Sequence, residues 1–271
     1  MYETYWNLQH KPFRYRVGVA DLYRSSTLQS AILRLRYCID NNAGAALLLG
    51  PSGAGKSSVT RLLNAEGTDL HPFIHLAYPG LSSAELTRVI AGELTEDEAI
   101  AQLRSDELLV RIHQALRKAA AGDQHPVIVL DEAHLLSNET LNDVVLPLLN
   151  LGEVDFGVRF SVLLVGQPAL GTHIARNGQL RERIAVTATV SGMSLNETAD
   201  YINTSMKNAG ATRQVFQEDA IAAVFELSHG NPRRINRICD MALLVGYSEQ
   251  SDHIAAADIA SLAVEILPAA A

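Results

Sequence analysis

One stretch, Gly50-Pro-Ser-Gly-Ala-Gly-Lys56-Ser57, constrains this chain more than any other: it fits G-x-x-x-x-G-K-[ST] without a mismatch. By composition alone about one chain in a hundred of this length would carry that pattern, so the setting has to decide. The apolar run Ala45–Leu49 comes directly before it, and a helix-forming run, Lys56–Asn64, follows. Glycines at such a turn let consecutive backbone N–H groups converge on phosphate oxygens, and the helix start adds the positive end of its dipole. Gly50, Pro51, Ser52, Gly53, Ala54, Gly55, Lys56, Ser57 and Ser58 are therefore expected to cradle a nucleoside triphosphate. Lys56 would reach the β- and γ-phosphates, and the Ser57 hydroxyl would ligate Mg²⁺.

A second apolar run, Val127-Ile-Val-Leu, ends in Asp131-Glu132. A buried strand closing on an acidic residue places its carboxylate at the carboxyl edge of a sheet, where a nucleotide-bound metal lies. Asp131 is expected to hold Mg²⁺ through water, and Glu132 to orient and deprotonate an attacking water. The plainer alternative is a pair that caps the following helix. Asp131-Glu-Ala-His134 also spells a helicase box. A helicase of that class needs a second motor domain, for which this chain has no room, so His134 is read as a hinge or packing residue.

Around these motifs, apolar runs alternate with helical patterns through Gly192. Ala45–Leu49, Phe73–Tyr78, Val127–Leu130, Phe160–Val165 and Ile184–Val190 read as strands, most of them without strict alternation and so buried on both faces. Thr27–Asn41, Lys56–Asn64, Ser82–Leu94, Glu107–Ala121 and Glu139–Leu149 read as helices. That order predicts a three-layer α/β fold with right-handed crossovers. After Met193 the strands stop. Ser194-Leu-Asn-Glu197 has capping-box spacing, and helical patterns run to Gly210, then over Glu218–Ser228, Pro232–Tyr247 and Ala255–Leu267. The expected division is an N-terminal segment and helix over 1–43, an α/β nucleotide domain over 44–192 and an all-helical lid over 193–271, with a frayed end at Leu267–Ala271. The acidic stretch Glu93–Glu107 reads as a solvated helical face or loop.

Four more residues are candidates for sensing the γ-phosphate. Gln167 follows the strand Phe160–Val165 and would stand beside Asp131, unless it is only a polar turn residue. Gly230-Asn-Pro-Arg233-Arg234 reads as a helix end, an N-cap and a new helix start, putting two arginines where the dipole disfavours cations. An anion nearby would explain Arg233; a surface arginine tolerating a small cost is the alternative. Arg181 and Arg183 precede the last strand and are expected near the carboxyl edge, as an arginine finger for a neighbouring subunit or as a salt-bridged helix end, Arg183 being favoured.

Composition narrows the partners. With 22 basic and 30 acidic residues the net charge is −8, which disfavours DNA, though Arg14, Arg16, Arg24, Arg34 and Arg36 gather near the N-terminus. At 48% apolar residues the chain can build a large core, and at 6% aromatics it is poor in base-stacking surface. Cys38 and Cys239 read as buried hydrophobes in a reducing compartment. With no signal peptide or apolar run long enough to span a bilayer, a cytoplasmic protein is expected.

The phosphate loop, the Asp131-Glu132 strand, Gln167 and the Gly-Asn-Pro-Arg233 helix start occur in the order found in AAA+ ATPases, which the chain resembles over nearly its whole length. More narrowly it looks like the ATPase module of the general secretion pathway protein A group. Members tend to share the features seen here as Met1-Tyr2, Pro12-Phe13 and Val165-Gly-Gln-Pro168. The resemblance implies a P-loop NTPase sheet of the AAA+ type, ATP/ADP and Mg²⁺ as ligands, Gln167 as sensor 1, Arg233 as sensor 2, and Arg181 or Arg183 as the finger. It also implies nucleotide-dependent self-assembly, with ATP held between the α/β domain and the lid. Arg14-Tyr-Arg-Val-Gly-Val-Ala20 stands where a Pro-Asp-Pro stretch is frequent, and Ser57-Ser58 where Thr-Thr is common. The membrane segment and wall-binding domain of full-length secretion relatives are not expected within these 271 residues. The module is also similar to TniB-like transposition regulators, which assemble on DNA. Three functions stay open: an ATP-hydrolysing motor for secretion or envelope assembly, a DNA-associated regulator, and a nucleotide-binding assembly module with negligible turnover.

Overall fold

The structure, a computed structural model, describes residues 1–14, 18–77, 80–95, 100 and 102–266. The chain divides into two units: Ser26–Val190, and Met1–Ser25 together with Ser191–Ala271.

The first unit is a parallel sheet flanked by helices. In chain order it runs α1 (Ser26–Asp40), β1 (Ala45–Leu49), α2 (Lys56–Glu66), β2 (Phe73–Leu76), α3 (Ser83–Thr95), α4 (Ser105–Ala121), β3 (Val127–Leu130), α5 (Leu146–Val154), β4 (Ser161–Gly166), α6 (Ala169–Arg176), α7 (Gly178–Arg183) and β5 (Ile184–Thr189). The five strands lie in the order β2-β3-β4-β1-β5, and every pairing is parallel. This order explains the apolar pattern. The inner strands β3 and β4 are buried at every residue, whereas the edge strands β2 and β5 mix buried with exposed positions. Leu49 pairs with Gly166 and Leu76 with Leu130, so the carboxyl ends of neighbouring strands come side by side.

Predicted strands and helices recur with end shifts of a few residues; Tyr78, Arg16, part of the acidic stretch (96–99 and 101) and 267–271 lie outside the described residues. The predicted helix Glu139–Leu149 is in fact a composite. A single turn, Asn138–Thr140, passes through a π-helical turn, Leu141–Val145, into α5. Pro147 supplies the reason: it has no N–H to donate and its ring crowds the carbonyl four residues back. Helix α6 has no counterpart in the sequence pattern, and α7 only the helix end weighed at Arg181 and Arg183, since each is shorter than the window in which helical periodicity shows.

The second unit is helical: α8 (Leu195–Asn208), α9 (Glu218–Ser228), α10 (Pro232–Ser248) and α11 (Ala256–Ile266). Its capping box forms as the spacing predicts, Ser194 Oγ accepting from Glu197 N at 3.2 Å while Ser194 N donates to Glu197 Oε2 at 2.9 Å. The opening residues of the chain belong to this unit, whereas the sequence division attached all of 1–43 to the approach to the nucleotide domain. Tyr2, Trp6, Leu8 and Phe13 are buried in the helical core. Trp6 Nε1 donates to Leu243 O at 2.9 Å, and the Tyr2 hydroxyl donates to Asp240. The large aromatic burial of this segment is not periodic, so no helix or strand pattern announced it.

Candidate functional site: a phosphate loop with paired acidic residues

β1 delivers the chain into the loop 50–55, and α2 begins at Lys56. Gly53 and Gly55 have φ of 81° and 106°, a region where an L side chain is strained. Gly50 is fixed for a different reason: a Cβ there would stand 2.5 Å from Val190 O. The loop is anchored to its neighbours by Gly50 N donating to Gly166 O at 3.2 Å, next to Val190 N donating to Leu49 O at 2.8 Å. Lys56 is only 7% exposed, and its Nζ donates to Gly50 O at 2.8 Å and Pro51 O at 3.1 Å. A buried ammonium needs such acceptors, and the phosphate oxygens of a nucleotide would offer better ones. Ser57, in the first turn of α2, is exposed.

At the end of β3, Asp131 N donates to Leu76 O at 2.7 Å, keeping the chain in the sheet one residue beyond the strand. Asp131 Oδ1 accepts from Glu132 N at 2.8 Å and Oδ2 from His75 Nε2 at 3.1 Å. Burial pushes the Asp131 carboxyl up. The hydrogen bonds from His75 and the Glu132 amide, with the charges of His75 and Lys56, outweigh it and hold the group below the usual carboxylate range. Asp131 is thus an anion facing the loop lysine, as a metal-holding group must be.

Glu132 turns the chain in the left-handed region, φ 51°. Its Oε2 lies 3.4 Å from His134 Nδ1, both atoms buried and neither hydrogen-bonded. His134 belongs to a short turn, Ala133–Leu135, that packs under the end of β4: a Cβ on Gly166 would stand 3.2 Å from His134 N. Gln167 follows Gly166 directly, so it sits beside the residue whose carbonyl anchors Gly50. The loop, Lys56, Ser57, Asp131, Glu132 and Gln167 are therefore gathered at one edge of the sheet. A glycine cradle, a buried lysine and an ionised carboxylate form a donor set that fits a nucleotide phosphate with Mg²⁺.

The arginines of α7 are not gathered there. Arg183 precedes β5, and Ile184 pairs with Ala45, the first residue of β1. The expectation of a finger near the carboxyl edge is corrected accordingly: in a parallel sheet the residue before a strand lies at the amino edge. Arg183 forms an ion pair with Glu153 and is 25% exposed, beside a cavity of about 230 Å³ lined by Gly44 and Phe160 among others. Arg181 lies in the same short helix, in its last turn.

In the helical unit, Asn231 caps α10, its side chain accepting from Arg233 N at 3.1 Å and Arg234 N at 3.4 Å, with Pro232 in the first turn. His229 and Gly230 both have positive φ, and a Cβ on Gly230 would stand 2.0 Å from Met193 O. Helix end, cap and helix start fall where the sequence placed them, and Arg233 is exposed in the first turn.

Sequence reasoning missed His75. A histidine between Ile74 and Leu76 in a short strand was the available signal.

A family model described as an AAA domain matches residues 39–172. Over 98% of its length the chain is 30% identical to general secretion pathway protein A of Aeromonas hydrophila, and it spans 48% of that protein, about half. Among solved structures, Cdc6p from Pyrobaculum aerophilum is similar with a TM-score of 0.73 at 20% identity, covering 96% of this chain and 72% of that one. The Aeropyrum pernix ORC2 protein in its ADPNP–ADP complexes gives a TM-score of 0.69 at 14% identity, covering 95% and 72%. At these identities the structural likeness speaks for the fold: a five-stranded parallel P-loop sheet with a helical C-terminal region. Among the described residues no helix is long and apolar enough to cross a membrane.

Proposed function

From its place among the AAA+ ATPases, to which this chain belongs, we propose that it binds ATP with Mg²⁺ and hydrolyses it to ADP and phosphate, coupling nucleotide state to self-assembly. The observation that carries this is the meeting of the buried Lys56, the ionised Asp131 and Glu132 at one sheet edge. Backbone N–H groups of the loop and the Lys56 ammonium would hold the β- and γ-phosphates. Ser57 and Asp131 would hold Mg²⁺, which supplies charge neutralisation at the transferred phosphoryl group. Glu132 would orient a water against the γ-phosphorus and take its proton as the new P–O bond forms and the bond to the β-phosphate oxygen breaks. Gln167 would hydrogen-bond the γ-phosphate or that water.

Arg183 precedes β5 at the sheet edge opposite its own loop, and in this proposal it serves a neighbouring copy. Such a protein works where ATP is, in the cytoplasm. The similarity to general secretion pathway protein A favours a role in secretion or envelope assembly over one on DNA, as does the net charge of −8. Calorimetric titration with ATP and Mg²⁺, alongside phosphate release, tests the proposal. Saturable binding that Lys56→Ala abolishes, together with phosphate release, supports it. Absence of binding by the wild-type chain overturns it.

A further inference from the structure

His75 lies on β2, between the buried Ile74 and Leu76, with its side chain on the other face of the strand and 34% exposed. The register explains its reach. His75 pairs with Val129, and Asp131, two residues on, occupies the same face of the sheet as Val129. The imidazole therefore lies diagonally across from the Asp131 carboxylate, and Nε2 closes to 3.1 Å. An ionised carboxylate only accepts, so Nε2 carries the hydrogen and donates it. Asp131 then has a donor on each oxygen, His75 Nε2 on Oδ2 and Glu132 N on Oδ1. Two donors arriving from two strand ends fix the plane of the carboxylate. They leave its remaining lone pairs in a set direction, and they tie the left-handed turn at Glu132 to the same group.

We propose that His75 is a positioning residue for the metal site: it holds Asp131 in the orientation that receives Mg²⁺ and, through Asp131, steadies Glu132. This rests on the nucleotide and Mg²⁺ assignment above. Groups that orient a metal-holding carboxylate contribute to metal affinity without touching the metal, and their loss costs roughly 10–100-fold in affinity or activity. Glutamine offers an amide Nε2 at nearly the distance of the imidazole Nε2, whereas alanine removes the donor.

The test uses the full chain with Mn²⁺ as the probe metal. Free Mn²⁺ is followed by electron paramagnetic resonance during titration in the presence of ADP, and ADP binding in EDTA is measured in parallel. His75→Ala is expected to keep metal-free ADP affinity within about twofold, to weaken Mn²⁺ binding by roughly tenfold or more, and to lower kcat with little change in KM. His75→Gln should recover most of the Mn²⁺ affinity. Wild-type Mn²⁺ affinity and kcat in His75→Ala would overturn the inference, as would a folded His75→Gln no better than a folded His75→Ala. Should the alanine variant fail to fold, the glutamine variant decides alone: near-wild-type Mn²⁺ affinity supports the role and a tenfold loss contradicts it. If the wild-type chain binds ADP but no Mn²⁺, the metal assignment falls with it; if it binds neither, the nucleotide assignment falls first.

Discussion

Arg183 pairs with Glu153 at the amino edge of the sheet, while the phosphate loop opens beyond Leu49 at the opposite edge. The five residues of β1 separate the two by about 16 Å at the usual strand rise. An arginine so placed cannot stabilise phosphoryl transfer at its own loop without leaving its helix.

If Arg183 acts between copies, Arg183→Ala should keep ATP affinity within about twofold and lose about 10³-fold in kcat. Mixing it with Glu132→Gln should restore part of the activity, because mixed assemblies bring an intact Glu132 next to an intact Arg183. Wild-type rates in Arg183→Ala would reduce the residue to a salt-bridged helix end.

Lys56→Ala removes the donor that Gly50 O and Pro51 O share. Unfolding measurements without nucleotide should show a loss of roughly 1–3 kcal/mol if the buried Gly50 carbonyl is left unpaired. The wild-type chain should melt at higher temperature as ATP is added, and the variant should not. A variant that still responds to ATP would contradict the role given to Lys56.

Asp155 fastens the segment after α5 to α4. It accepts from Arg117 Nε at 2.5 Å, His113 Nε2 at 2.7 Å and Gly157 N at 2.9 Å. The hydrogen bonds from Arg117, the Gly157 amide and His113 hold its carboxyl down at about 2. Because the folded value lies below the unfolded one of about 3.9, its contribution is complete above about pH 4 and is lost as pH falls toward 2. Urea midpoints of wild type and Asp155→Asn should therefore differ by a constant amount near neutrality and converge at about pH 2. A gap that persists at that pH would show that the carboxylate charge is not what holds the segment.

Trp6 is the one tryptophan of the chain and is buried in the helical unit, so its fluorescence reports that unit's unfolding. Gly230→Ala places a Cβ 2.0 Å from Met193 O at a φ of 68°. It should lower the urea midpoint of the Trp6 transition by the equivalent of roughly 1–3 kcal/mol or more. An unchanged midpoint would mean that the turn joining α9 and α10 yields freely.

Much of this molecule was legible in its sequence, and what was not has physical causes. The loop at Gly50–Ser57 could be recognised because backbone geometry demands glycines at fixed spacing. β3 stood out because a strand buried on both faces must be apolar throughout, and α10 because Asn231 and Pro232 carry its capping chemistry. The edge at which the α7 arginines stand follows from the direction of β5, which its parallel pairing with β1 sets. Tyr2 and Trp6 gave no periodic signal for their burial. The role of His75 is not legible in the sequence because its partner, Asp131, comes near only through the pairing of β2 with β3.

The measurement that bears most directly on the central claim is phosphate release from ATP against protein concentration, with Glu132→Gln in parallel. A rate per subunit that rises with concentration is expected of the wild-type chain, and no release by Glu132→Gln although it still binds ATP. Bound ATP with no release by the wild-type chain at any concentration, or equal release by both proteins, would contradict that claim.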